Sequence, residues 1–217
     1  MSVFERPIVM LDFETTGLSP DAGDRITEVA ALRIVGGEIR ERYVSLVNCG
    51  VRIPSFITQL TGITQDMVDS APPNQQVVAE LLDFIGGDML AAHNASFDEK
   101  FLKAEGWRIG RPTGHCGLVC SLKLARRLFP RLPSYKLGNL SSSLGIAFRG
   151  AAHRAEADAE VAAEVLLHAA RHLGSRHGLP QVAPDLLVSV NKLAAAKVPL
   201  FLDKFASLER ERRLAAA

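Results

Sequence analysis

Cysteine is scarce. Cys49, Cys116 and Cys120 are the only three in 217 residues, an odd and scattered set that excludes a disulfide framework and points to a reducing, cytoplasmic setting. His115 beside Cys116 and Cys120 suggests zinc, yet a structural zinc site wants four nitrogen or sulfur ligands in paired spacings, and no partner pair follows. Long apolar runs are missing too. No stretch approaches the roughly 18 residues of a membrane span, and residues 1–7 carry Glu5 and Arg6, so the chain reads as soluble, untargeted and without a membrane partner. Excess charge of one sign is also absent: 25 Lys and Arg against 24 Asp and Glu leave +1, so the chain as a whole is not an obvious polyanion binder. There is no internal repeat or low-complexity tract.

What is there is a folding composition, 47% hydrophobic and 23% charged, with length for one domain plus an appendage. Pro180 and Pro184 mark a composition break. It divides the chain into a domain of residues 1–178 and a C-terminal extension, 179–217, whose apolar positions Leu186, Leu187, Val190 and Leu193 suit an amphipathic helix.

Residues 8–11 are a continuous apolar run, which suits a strand buried on both faces, with Asp12 at its end. Two β-rich runs then meet at Gly36-Gly37, a dipeptide suited to the positive φ angles of a two-residue hairpin. Val77, Val78, Leu81, Leu82 and Ile85 repeat with a helical period closed by Gly86-Gly87, and 89–94 reads as another buried strand. Ser96 and Glu99 match a capping box for a helix running towards Gly106, with Asp98 in its first turn. Helices are expected near 121–128, 137–144 and 155–173. Strands first, then helices with strands between, indicate a mixed sheet covered by helices.

The chemistry lies in the acids. Asp12 and Glu14 are two apart, so in a strand they share one face and repel unless both meet water or a divalent cation lies between them. Asp98 and Asp158 each open a helix, where an acid favours the macrodipole by about 0.3 to 1 kcal/mol. That explains either one singly and leaves the set unexplained. Four carboxylates carry a charge of minus four, which two divalent ions balance in sites that clamp a phosphate, and His153 would then deprotonate water. A second charge feature runs from Glu105 to Glu156, an interval with no acid but with Arg108, Arg111, Lys123, Arg126, Arg127, Arg131, Lys136, Arg149 and Arg154. It is either a phosphate-facing surface or a solvated face balanced by acids elsewhere. Its aromatic residues, Trp107, Phe129, Tyr135 and Phe148, are candidates for stacking on bases.

In order and spacing, "LDFETTGL" (11–18), "HNASFD" (93–98) and "HRAEAD" (153–158), with "LTGIT" (60–64) and "SYKLGNL" (134–140), resemble the DEDDh group of 3′→5′ exonucleases. Its best-known members are proofreading subunits similar to the ε subunit of bacterial DNA polymerase III. The resemblance covers residues 7 to about 173. It implies a ribonuclease-H-like α/β fold, a mixed sheet flanked by helices, with the extension outside the likeness. It further implies that Asp12, Glu14, Asp98 and Asp158 bind two divalent ions, Mg²⁺ or Mn²⁺, and that His153 is the general base; a tyrosine there would mark the sister group. Thr15, Thr16, Gly17 and Leu18 would line the pocket of the terminal nucleotide, with His93, Asn94 and Phe97 bordering its sugar and base, although turn and strand-end packing explain these almost as well.

The implied activity is hydrolysis of terminal phosphodiesters at single-stranded or frayed 3′ ends of DNA to nucleoside 5′-monophosphates, in proofreading or repair. RNA trimming similar to that of ribonuclease T or oligoribonuclease is the alternative, and no 2′-hydroxyl contact is legible to discriminate them. A phosphatase of the haloacid-dehalogenase type would need Asp where Glu14 stands. A non-catalytic nucleic-acid-binding module would be supported by loss of one of the five site residues, and none is missing. The extension is able to dock on its own domain, to bind a DNA polymerase subunit or to form a homodimer. With six basic and four acidic residues in 180–217, its charge does not choose.

Overall fold

The computed structural model describes residues 3–147 and 153–215. Five strands, β1 Ile8–Thr15, β2 Ile26–Val35, β3 Glu38–Leu46, β4 Met89–Ala92 and β5 Gly117–Cys120, form one sheet in the order β3-β2-β1-β4-β5. β1 runs antiparallel to β2 and parallel to β4; β2–β3 is antiparallel and β4–β5 parallel. The helices are α1 Ser55–Thr61, α2 Gln65–Asp69, α3 Asn74–Ile85, α4 Ser96–Arg108, α5 Ser121–Leu128, α6 Leu137–Ser143, α7 Ala155–His177, α8 Pro184–Lys192 and α9 Val198–Ala215. The mixed sheet flanked by helices is the fold that the sequence implied. No described helix is long and apolar enough to cross a membrane.

Strand alternation sorts β1 between two cores. Ile8 and Met10 pack with Ala159, Leu166 and Leu187 on the α7–α8 side, whereas Val9, Leu11 and Phe13 pack with Val78, Leu81 and Phe101 on the α3–α4 side. The hairpin falls at Gly36 and Gly37, with φ of 66° and 99°, and Val77, Val78, Leu81, Leu82 and Ile85 are the buried stripe of α3. The expected amphipathic helix in the extension is α8, whose Leu186, Leu187 and Val190 are buried in the same core as Met10, at about 1.5 to 3 kcal/mol for each such side chain. Val198 and Leu202 of α9 join it.

Three details differ from the sequence reading. First, Asp12 does not end its strand: pairing with β4 stops at Met10, but β1 continues against β2 to Thr15, so both acids lie inside the strand where one neighbour has been left behind. Second, the capping box does not form. Ala95 precedes α4 with no side-chain cap, the chain enters the helix through a turn in which Asn94 O accepts from Phe97 N at 2.8 Å, and Glu99 pairs with Lys103 at 2.5 Å instead. Third, β5 is four residues long, too short for its pattern to stand out, and β4 ends at Ala92, leaving His93 and Asn94 to the turn.

Candidate active site

Asp12 and Glu14 continue the line of Ile8 and Met10 and so face the α7 side, where Asp158 in the first turn of α7 comes over them. Carboxylate oxygens of Asp12, Glu14 and Asp158 all lie within 4.8 Å of one another, and all three residues are partly buried. Asp98 enters from the first turn of α4. It is 3% exposed, and its carboxylate accepts from its own N–H and from that of Phe13, a β1 amide beyond the end of the β4 pairing. The structure thus gathers the four predicted acids, with Asp98 held by backbone amides beside the cluster of three.

Burial and like charge act together on this group. Asp12 is pushed well above the usual carboxylate range by burial first, then by Asp98, Asp158, Glu14 and Glu28. Glu14 is pushed up to about 8, again chiefly by burial, with Asp158 and Glu28 adding and Arg154 opposing. Asp98 also rises to about 8 through burial, against the pull of its two backbone amides. Asp158 is raised by burial and opposed by His153, whose N–H donates to Asp158 Oδ2 at 2.9 Å. His153 itself is exposed and has a left-handed backbone, φ 63°.

The sequence reading missed Glu28. On β2 it stands directly across from Glu14 and is 3% exposed. Its carboxylate accepts from Arg154 Nε at 3.2 and 3.1 Å, from Arg154 Nη2 at 2.6 Å and from the Ala155 amide at 3.0 Å. The available signal is a lone acid in the apolar run "ITEVAALRIV", and in sequence Arg154 stands out only as part of a basic stretch.

The softer residues have protein partners. Thr15 Oγ1 donates to Gly17 O at 2.6 Å, and Thr16 Oγ1 accepts from Arg25 N at 3.0 Å. A Cβ on Gly17 would meet Asp24 Oδ1 at 2.4 Å, so what approaches Gly17 in the fold is a carboxylate of its own loop. Leu18 is 78% exposed, and its carbonyl accepts from Lys100 Nζ. His93 has both ring nitrogens engaged, Nδ1 with Ser121 Oγ at 2.9 Å and Nε2 with Tyr135 O at 3.0 Å; facing a carbonyl, Nε2 carries the proton. Burial lowers the His93 pKa. Asn94 is exposed at φ 69°, and Phe97 is half-buried against Phe101, centroids 5.1 Å apart.

The basic segment is partly neutralised. Arg108 meets Glu105, Arg111 meets Asp83 and Arg154 meets Glu28. Phe129 packs edge-on against His168 and His172, and Tyr135 donates to Phe129 O at 2.8 Å, whereas Trp107 is 83% exposed. Phe148 and Arg149 lie outside the described residues.

Clustered carboxylate oxygens with raised affinity for protons are the donor set of a hard divalent cation. Residues 9–166 match the model of a family described as exonuclease. The 3′-5′ exonuclease DinG of Bacillus subtilis is 39% identical over 159 residues, which are 73% of this chain and 17% of that one. The chain therefore spans under a fifth of that relative's length. The DNA polymerase III subunit epsilon of Aquifex aeolicus is 32% identical over 183 residues, 82% of this chain and 87% of that one. Among solved structures, the nuclease domain of 3′hExo, a DEDDh family member bound to rAMP, superposes with a TM-score of 0.64 at 23% identity over 75% of this chain and 90% of that one, a likeness of fold. The chain belongs to the exonuclease family.

Proposed function

We propose, from membership of the exonuclease family, that this chain is a metal-dependent 3′→5′ exonuclease that removes nucleoside 5′-monophosphates from single-stranded or frayed 3′ ends of DNA. The observation that carries this reading is the cluster of Asp12, Glu14 and Asp158, with Asp98 beside it and His153 tied to Asp158. Asp12, Glu14, Asp98 and Asp158 would hold two divalent cations, Mg²⁺ or Mn²⁺, which would supply the Lewis acidity and charge neutralisation that hydrolysis of a phosphodiester needs. The chain's own part is positional. Exposed His153 takes the proton of the attacking water, and the hydrogen bond from its backbone N–H to the Asp158 carboxylate keeps it at the cluster's edge. Thr15, Thr16, Gly17 and Leu18 form one wall for the terminal nucleotide, and Asn94 and Phe97 the other, with His93 fixing the 129–136 loop through Tyr135.

A reducing, cytoplasmic setting suits the three free cysteines. α9 leaves Leu200, Leu208 and Leu214 exposed, which supports a protein partner there, a polymerase chain or a second copy.

The test is incubation with 5′-labelled single-stranded DNA and matched RNA in Mg²⁺, Mn²⁺ or EDTA, beside Asp12→Ala. A cation-dependent ladder shortening from the 3′ end, absent in the variant, establishes the activity, and faster loss of RNA moves the substrate to the RNA-trimming class. No degradation of either polymer by folded protein overturns it.

A further inference from the structure

We propose that the pair of buried Glu28 and partly exposed Arg154 is a positioning clamp for His153 and Asp158 and that Glu28, although it lies among the site acids, is not one of their kind. The inference rests on the exonuclease reading for its kinetic consequence and on geometry for the rest. His153 adopts φ 63°, a backbone that a residue with a side chain keeps only where its surroundings over-determine it. The surroundings here are two sets of bonds. On one side the His153 amide donates to Asp158; on the other, the next two residues both hang on Glu28, Arg154 through its guanidinium fork and Ala155 through its amide. α7 has no cap from the side chain of Arg154, so a carboxylate from the neighbouring strand caps it instead.

The same bonds remove Glu28 from the ligand set. Oε1 accepts from both Arg154 nitrogens and Oε2 from Nε and from Ala155, so both oxygens are occupied. Glu28 faces Glu14 across the β1–β2 pair; without Arg154 it would add a further negative charge to a cluster already crowded with them. One arginine therefore does two things, neutralising Glu28 and anchoring the backbone immediately after His153. The bidentate fork matters as well as the charge, because a lysine offers no second parallel bond.

The test compares Glu28→Gln, Arg154→Met, Arg154→Lys and the double Glu28→Gln/Arg154→Met with Arg42→Met, which cuts a different tie of α7 to the sheet, through Glu156 and Glu160. Kinetics on a single-stranded DNA oligonucleotide, Mn²⁺ binding by electron paramagnetic resonance, and hydrogen exchange over 153–158 are read together. A clamp lowers kcat by roughly 10- to 100-fold in both single variants with KM within about threefold, leaves the double no worse than the worse single, and makes Arg154→Lys resemble Arg154→Met. Charge alone would move Mn²⁺ affinity in opposite directions in the two singles, so a fall of kcat in both separates position from charge. Exchange at 153–155, which the Arg42 tie does not reach, should quicken in the clamp variants and stay unchanged in Arg42→Met. Restoration by lysine, additive losses, or exchange that quickens equally in Arg42→Met overturns the clamp. A wild-type protein with no nuclease activity overturns the exonuclease reading alone, and the exchange comparison then decides the clamp by itself.

Discussion

Helix α4 buries two acids seven residues apart, hence on one face, and they live in opposite company. Glu105 is wholly buried and accepts from Arg25 Nε at 2.7 Å, Arg25 Nη2 at 3.1 Å, Arg108 Nη1 at 2.9 Å and Asn74 Nδ2 at 3.0 Å. Asp98, almost as buried, has two backbone amides and, beyond them, Asp12 and Glu14. Burial is common to both; the sign of the neighbours is not. A carboxylate surrounded by cationic partners holds the fold together. A carboxylate surrounded by its own kind costs the fold something, and that cost is relieved when a cation arrives.

The largest difference between the two acid environments should appear on substitution of Asp12. Asp12→Asn should lower exonuclease turnover on the order of 10³-fold or more, since several kcal/mol of charge stabilisation depend on the site. In EDTA the same variant should melt higher than wild type, because one of the mutually repelling groups is gone. Thermal unfolding in EDTA checks this, and a lower melting point would mean that Asp12 has a partner the geometry does not provide. Glu105→Gln should do the reverse. Stranding Arg25 and Arg108 costs about 3 kcal/mol, the low end for a broken buried pair because both arginines are partly exposed, while kcat stays within twofold. Urea denaturation midpoints and turnover below the transition measure the two halves of that statement.

The two acids also differ in how far sequence revealed them. Asp98, like Asp12, Glu14 and Asp158, was legible because it belongs to a short, ordered motif whose chemistry needs that residue type. Glu105 and Glu28 were not, since their meaning depends on Arg25 and Arg154, which are 80 and 126 residues away. The same limit separates the elements. α3 and α7 declared themselves through long periodic stripes, but the true end of β1 depends on which neighbour it keeps, and β5 exists because β4 offers it an edge. Partners distant in sequence decide both the misread strand end and the overlooked ion pairs.

Proton and cation should compete in the Asp98 region. Glu14 and Asp98 rise from the usual carboxylate range near 4 to about 8, so the fold favours their protonated forms. Their favourable contribution is complete below about pH 4 and is lost as pH climbs through about 8. In EDTA, the melting temperature of wild type should therefore drift down from pH 5 to pH 9 relative to a Glu14→Gln variant. Added Mg²⁺ or Mn²⁺ should stabilise wild type progressively more across that window. A cation effect of constant size from pH 5 to 9 would show that the acids are already ionised at the lower end.

The smallest expected effect concerns the outward face of the same helix. Lys100, Lys103 and Trp107 are all exposed and follow one another at helical spacing, and Trp107 is the chain's only tryptophan. At 1.5 Å per residue it stands about 13 Å along the axis from Asp98, beyond the reach of a single nucleotide in the site. Stacking of one base on it is worth about 1 to 3 kcal/mol, and an unenclosed ring belongs at the low end. Trp107→Ala should then weaken binding of a single-stranded oligonucleotide about fivefold in an Asp12→Asn background. Phe129→Leu and Tyr135→Phe, whose rings or hydroxyl already have partners, should leave binding unchanged. The wild-type indole gives the direct readout, because its fluorescence should be quenched by the oligonucleotide and not by a mononucleotide. Quenching by both would bring Trp107 into the site, and quenching by neither would leave the strand's path to the lysines alone.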